Sequence, residues 1–241
     1  MNFDIPMNTK GVMGVDSLSS LMAGGSSQQS APQSQLQPQQ QVQYQPKQRP
    51  QGNGVRLRKG QKVNLAPAGV SLQSIKVCLG WDITNQACDL DASAFMLDAN
   101  NKVVGDDWFV FYGQTSSPDN SVQHSGDSQG EDVGDDEIIT MNLSAINPNV
   151  KKVVFVVTID EALDRGLNFS MVANAYVRVV NNVTGEELVR FNLTDYYSNV
   201  TSMVVGEIYN HNGQWKFNAV GDGVAKDLAG LCEMYGVNVI D

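Results

Sequence analysis

The chain has 241 residues, of which 41% are hydrophobic and 17% charged, and a net charge of −10. Residues 1–60 hold six Lys/Arg against Asp4 and Asp16, net +4, which leaves −14 for the remainder. That length suits one large or two small domains with an ample core, and so acidic a body excludes nucleic-acid binding through a basic stripe.

The N-terminus lacks a charged region followed by an apolar run, so no signal peptide is expected, and no stretch reaches the roughly 20 apolar residues of a membrane helix. Cys78, Cys88 and Cys232 make an odd number without CxxC spacing. That pattern fits a reducing cytoplasm better than a disulfide framework, and His124 and His211 are too irregularly spaced to complete a structural zinc site.

Residues 1–27 carry scattered apolar side chains and read either as a flexible tail or as a docking motif that orders on a partner. Residues 28–51 contain twelve Gln and four Pro, so 28–53 is expected to be a disordered linker. From about Gly54 to Asp241 the dominant period is two. Ile75, Val77, Leu79 and Trp81 alternate with smaller or polar residues, as do Ile139, Met141 and Leu143, then Val189, Phe191 and Leu193. Val153–Ile159 is nearly all apolar and β-branched, as a strand buried on both faces would be. Residues 161–169 predict a short helical turn. His211-Asn212-Gly213 between 204–209 and 214–220 predicts a hairpin. One helix is expected over Asp222–Tyr235, with Leu228, Leu231, Cys232 and Tyr235 on one face and Gly236 as its stop. Many short strands with Gly- and Asn-rich turns predict a mainly all-β fold, an antiparallel β-sandwich with a short C-terminal helix.

Between Asp82 and Glu137 lie thirteen carboxylates and one basic residue, Lys102. Like charge at that density costs stability unless something positive sits among it, and no base is local in sequence. A bound cation answers the problem, and hard carboxylate oxygens favour Ca²⁺ or Mg²⁺. On a strand Asp89 and Asp91 share a face and would project together. Asp106-Asp107 offers a second contribution. The loop from Gly126 to Glu137, with Asp127, Glu131, Asp132, Asp135, Asp136 and Glu137, offers a third; it alternates acids with Gly but lacks the EF-hand pattern. Asp160, after the buried strand, reads equally as a ligand or as a turn residue.

Gly80-Trp81-Asp82, Asp89-Leu90-Asp91-Ala92-Ser93-Ala94, Phe109-Val110-Phe111-Tyr112, Gly134-Asp135-Asp136-Glu137 and Gly213-Gln214-Trp215-Lys216-Phe217 together resemble the TerD family, the Ca²⁺-binding bacterial stress proteins of the tellurium-resistance group. The resemblance runs from about Val55 to Val239 and implies a β-sandwich that binds calcium in loops at one end. It also implies a cytoplasmic or inner-membrane-associated location and a role in stress resistance. Carried over by motif, the expected calcium ligands are Asp82, Asp89, Asp91, Asp127, Asp135, Asp136 and Glu137; Asp106, Asp132 and Asp160 join them as candidates from the acidic segments and strand end alone. Asp98, Asp107 and Asp119 fall back to ordinary surface charge. The extension at 1–53 departs from single-domain members and bears on partners and location.

The expected function is therefore non-enzymatic: a Ca²⁺-stabilised interaction or scaffold module of the stress response. Its expected partners are other stress or tellurium-resistance proteins or a second copy of the chain, with peripheral membrane association, no transmembrane segment and no nucleic acid. Two alternatives carry less weight. A carboxylate-pair hydrolase wants an aromatic-lined groove, whereas Trp81, Trp108 and Trp215 sit in strand-like alternation and read as core. Thiol-mediated tellurite or metal handling would fall to Cys88, read here as the exposed thiol, because Cys78 and Cys232 occupy packed positions.

Overall fold

A computed structural model describes residues 46–84, 88–126, 134–195 and 198–239. The expected docking segment, Asp127, Glu131 and Asp132 lie outside the described residues. In chain order the strands are β1 (Val55–Leu57), β2 (Lys62–Asn64), β3 (Ser74–Ile83), β4 (Leu90–Leu97), β5 (Phe109–Val110), β6 (Val122–His124), β7 (Glu137–Asn142), β8 (Lys152–Ile159), β9 (Val172–Asn181), β10 (Glu187–Asn192), β11 (Ser202–His211) and β12 (Gln214–Val224). The α-helices among the described residues are α1 (Ala162–Arg165) and α2 (Leu228–Tyr235).

The strands form two six-stranded sheets, ordered β1-β10-β9-β3-β7-β6 and β2-β12-β11-β8-β4-β5. Pairing is antiparallel except at one edge, where β1 runs parallel to β10. The expected β-sandwich is thus the fold. Ile75, Val77 and Leu79 of β3, Val177 and Val179 of β9 and Val153, Phe155 and Val157 of β8 bury their side chains between the sheets.

The apolar run in β8 has a structural reason. Val153, Phe155, Val157 and Ile159 face the sandwich interior, while Val154 and Val156 belong to a second cluster on the other face. That cluster is closed by Leu231 and Cys232 of α2 and by the aromatic pairs Phe95–Phe109, at 4.4 Å between centroids, and Phe95–Tyr235, at 4.6 Å. A strand buried on both faces has no polar positions to alternate.

The hairpin forms as expected, with Asn212 and Gly213 at φ 53° and 79°, the left-handed pair that a two-residue turn between twisted strands requires. The C-terminal helix is shorter than expected. Asp222–Val224 continue β12 by pairing with Ser202–Val204, and the helix starts only after Asp227, whose side chain accepts from Gly230 N at 2.8 Å as its N-cap. Residues 161–169 hold α1 and the start of a 3₁₀ turn. No helix among the described residues is long and apolar enough to cross a membrane.

Candidate cation site

The C-terminal end of β3 and the N-terminal ends of β7 and β9 come together by antiparallel register. This places Asp82, Asp135 and Asp136 side by side. A bulge in the β3–β9 ladder between Gly80 and Asp82 lets the strand turn there. Gly80 is needed at that point, because a Cβ would sit 2.4 Å from the Tyr176 ring that crosses over it.

The acids are neutralised by bases from distant parts of the chain. Asp135 takes a bidentate pair from Arg178, Nε to Oδ1 at 2.8 Å and Nη2 to Oδ2 at 2.6 Å, plus the Tyr176 hydroxyl at 2.8 Å. Its hydrogen bond raises the Arg178 pKa despite burial. Arg178 lies directly opposite Arg190 across β9 and β10, a like-charge pair that would be unfavourable alone. Glu187 resolves it by accepting from both, at 2.7 Å from Arg190 Nη2 and 3.4 Å from Arg178 Nη1. Burial alone would raise the Glu187 pKa; the two guanidinium groups outweigh it and hold the carboxyl below its usual range.

Asp82 and Asp136 are met by residues N-terminal to the strands. Asp82, only 2% exposed, accepts from Arg49 Nη2 at 2.7 Å and from Asn174 Nδ2 at 2.8 Å. Asp136 accepts from Arg49 Nη1 at 2.8 Å, Lys47 Nζ at 2.5 Å and the Trp81 N–H at 2.7 Å. Arg49 also donates to the carbonyls of Gly134, at 2.8 Å, and Trp81. No base is local in sequence, and the compensating charge that pointed to a cation arrives instead from Lys47, Arg49, Arg178 and Arg190, far away along the chain. Lys47 and Arg49 belong to the stretch whose composition reads as linker.

Glu137 stands apart from this group. It is 2% exposed and ties the two sheets together, accepting from Ala92 N in β4 at 2.6 Å and lying 3.1 Å from His124 Nε2. His124 Nδ1 accepts from Gly126 N at 2.9 Å, which leaves Nε2 to carry the proton in the neutral ring. His124 is a partner that spacing rules for zinc gave no reason to notice.

The other expected ligands divide again. Asp91 and Asp160 line a separate cavity of about 250 Å³ with Glu161, Asp164 and Asp227. Asp89 joins this region through its backbone, whose carbonyl accepts from Asp160 N at 2.9 Å. Asp106 is exposed and anchors the C-terminal segment by accepting from Asn238 N and Nδ2, bonds that lower its pKa. Asp119 is more than surface charge. It accepts from the Ser117 and Ser121 hydroxyls, each at 2.7 Å, and from Ser121 N and Asn147 N. Burial would raise its pKa, and these bonds reverse the effect.

As to metal, four oxygens converge on the Arg49 guanidinium: Asp82 Oδ1, Asp136 Oδ2 and the carbonyls of Trp81 and Gly134. Carboxylate and carbonyl oxygens are the donors a hard divalent cation takes, so the chemistry fits Ca²⁺. Their number is below the six to eight Ca²⁺ prefers, and among the described residues no group of three or more His, Cys, Asp or Glu is placed to hold a metal.

Cys88 is buried, against its expected exposure, with Sγ 3.8 Å from Met171 Sδ, and burial raises its pKa. Cys78 and Cys232 are also buried, with pKa values pushed up to about 12 and about 11, in each case first by desolvation and then by an adjacent aspartate. Thiolate is scarce at all three. Native protein at pH 8 is expected to react slowly with Ellman's reagent at every cysteine, with all three labelled only on unfolding. A fast-reacting thiol assigned to Cys88 would restore the thiol reading.

The fold and site define a two-sheet β-sandwich with an acid-rich end whose charge is balanced by arginines. A TerD domain model matches residues 54–235, and the chain belongs to the TerD family. It is 46% identical over 188 residues to the tellurium resistance protein TerD of Serratia marcescens, covering 76% of this chain and 98% of that protein. It is 44% identical over 191 residues to general stress protein 16U of Bacillus subtilis, covering 77% and 98%. Among solved structures, a homologue of telluride resistance protein TerD from Streptomyces coelicolor A3(2) shares the fold, with a TM-score of 0.53 at 23% identity over 68% of this chain and 98% of that one.

Proposed function

We propose that this chain is a calcium-binding stress-response protein of the tellurium-resistance type, which works without catalysing a reaction. In this reading the acid-rich end is a cation-controlled interaction surface. The observation that carries it is the convergence of the Asp82 and Asp136 carboxylates with the Trp81 and Gly134 carbonyls around one guanidinium, that of Arg49. Asp127, Glu131 and Asp132, which lie in sequence between β6 and β7, are the further candidate ligands of this reading. Its relatives bear the names of tellurium resistance and general stress proteins, which supports a stress role here.

A bound divalent ion would supply charge neutralisation at the strand ends. The chain's own residues hold the acids ready: Asn174 orients Asp82, the Trp81 N–H orients Asp136, and Arg178 with Tyr176 fixes Asp135 next to them. Exchanging a bound ion for the side chains that otherwise balance Asp82 and Asp136 would change the surface a partner meets. The cytoplasm is the compartment this reading requires, with other stress proteins or a second copy as partner. Thermal melts of the full chain in Ca²⁺ and in excess chelator test it. The melting temperature is expected to be several degrees higher with Ca²⁺, with the difference reduced in Asp135→Asn/Asp136→Asn. Superimposable melts would remove the calcium reading.

A further inference from the structure

Lys47-Gln48-Arg49-Pro50 precedes the region matched by the TerD domain model, which begins at residue 54. Yet it is held in the acid site as a ligand would be. Lys47 and Arg49, two residues apart, both reach the acids, as alternate side chains of an extended segment do. The main chain is held too: Pro50 O accepts from Arg190 Nη2 at 2.8 Å, and Lys47 N donates to Asp82 at 3.4 Å. Arg49 and Arg190 both lie over the Tyr176 ring, at 5.7 and 4.6 Å from its centroid. The path is sterically specific. A Cβ on Gly52 would fall 2.3 Å from Glu187 Oε2, so the segment crosses Glu187 only because that residue is glycine.

Charge defines what this segment replaces. Among the described ion pairs, Arg178 and Arg190 meet Asp135 and Glu187, while Lys47 and Arg49 meet Asp82 and Asp136, so the segment brings two positive charges to two carboxylates. The Lys47/Arg49 pair supplies two positive charges, and so does one divalent cation. The two Nη atoms of Arg49 take up all four oxygens, so a metal ion held by those oxygens and the guanidinium cannot both be there. Burial by itself would lower the Arg49 pKa, and Asp136 with Asp82 more than offsets it.

We propose that the acid site is a binding site for a basic Lys-x-Arg-Pro peptide segment, filled in cis by Lys47–Pro50, and that this segment and a divalent cation exclude one another. Metal binding then releases Lys47–Pro50 from the acid site, coupling cation occupancy to the availability of this segment. The exchange rests on the calcium reading above; the seating of the segment does not.

The test uses the full chain, the Lys47→Gln/Arg49→Gln variant and Gly52→Val, which keeps every charge but obstructs the segment's path. Two quantities are read: trypsin cleavage after Lys47 by mass spectrometry (the Arg49–Pro50 bond resists trypsin), and CaCl₂ affinity by calorimetry. In chelator, cleavage after Lys47 is expected to be slow in the wild type and fast in Gly52→Val. Saturating Ca²⁺ should accelerate it in the wild type. Both variants should bind Ca²⁺ about tenfold more tightly, because no competing state has to be displaced. Equal affinity in all three proteins, or Lys47 equally protected with and without Ca²⁺, overturns the exclusion and leaves the calcium reading standing. Rapid cleavage of the wild type in chelator overturns the seating itself. Absence of Ca²⁺ binding in all three overturns the calcium reading and the exchange together.

Discussion

Arg178→Ala is expected to destabilise the protein by about 3 kcal/mol, the lower end of the cost of breaking a buried ion pair, because the guanidinium keeps some contact with water. The side chain is 16% exposed against 6% for its partner Asp135. Its loss removes both arms of the bidentate contact, and leaves Asp135 with the Tyr176 hydroxyl as its remaining side-chain donor among the contacts described above. It also removes one of the two bases that share Glu187. For a chain of this size the loss corresponds to about 6–12 °C in Tm. Arg178→Lys should recover only part of it, since an ammonium cannot reproduce the planar fork. Urea unfolding showing less than about 1 kcal/mol for Arg178→Ala would mean that Asp135 is not held as described.

The second large effect concerns the metal response. Asp82→Asn/Asp136→Asn keeps the shape of both side chains and removes the charge that a cation or the Lys47/Arg49 pair would meet. At a Ca²⁺ concentration a hundredfold above Kd, binding to the native state adds about 2.7 kcal/mol, or about 5–10 °C in Tm for a chain of this size. The double variant is expected to lose essentially all of that increment. It should also unfold more easily than the wild type in chelator, because Arg49, a largely buried guanidinium, is left without a carboxylate among its described partners. Retention of the full Ca²⁺ increment would place the cation elsewhere, with the cavity at Asp91 and Asp160 as the next site to examine.

The architecture was legible because burial writes itself into local pattern. β8 is apolar throughout since both of its faces are covered, and Asn212-Gly213 carries the positive φ angles that its turn needs. The helix boundary was not legible. Asp222–Val224 could begin a helix by composition, and only pairing with Ser202–Val204 makes them strand. The electrostatics of the site were half legible. Thirteen acids with one lysine announce an imbalance, but its solution lies in contacts spanning 33 to 89 residues between the aspartates and Lys47, Arg49 and Arg178. Local sequence cannot show that Arg178 and Arg190 face each other across two strands, or that a glutamate three residues before Arg190 must sit between them.

Acids that look alike in sequence have different work. Asp135 is pinned by an arginine and a tyrosine, Glu137 bridges two sheets through His124 and Ala92, and Asp119 organises the turn before β6. Asp82 and Asp136 differ in sharing their cation with two backbone carbonyls, an arrangement that suits an exchangeable ion as well as a side chain.

Calorimetric titration of CaCl₂ into metal-free full-length protein tests the central claim most directly, with Asp82→Asn/Asp136→Asn titrated alongside. The expected result is saturable binding by the wild type that is lost in the double variant. Heats indistinguishable from dilution in the wild type, or the same isotherm in both proteins, would contradict the assignment of this acid-rich end as the calcium site.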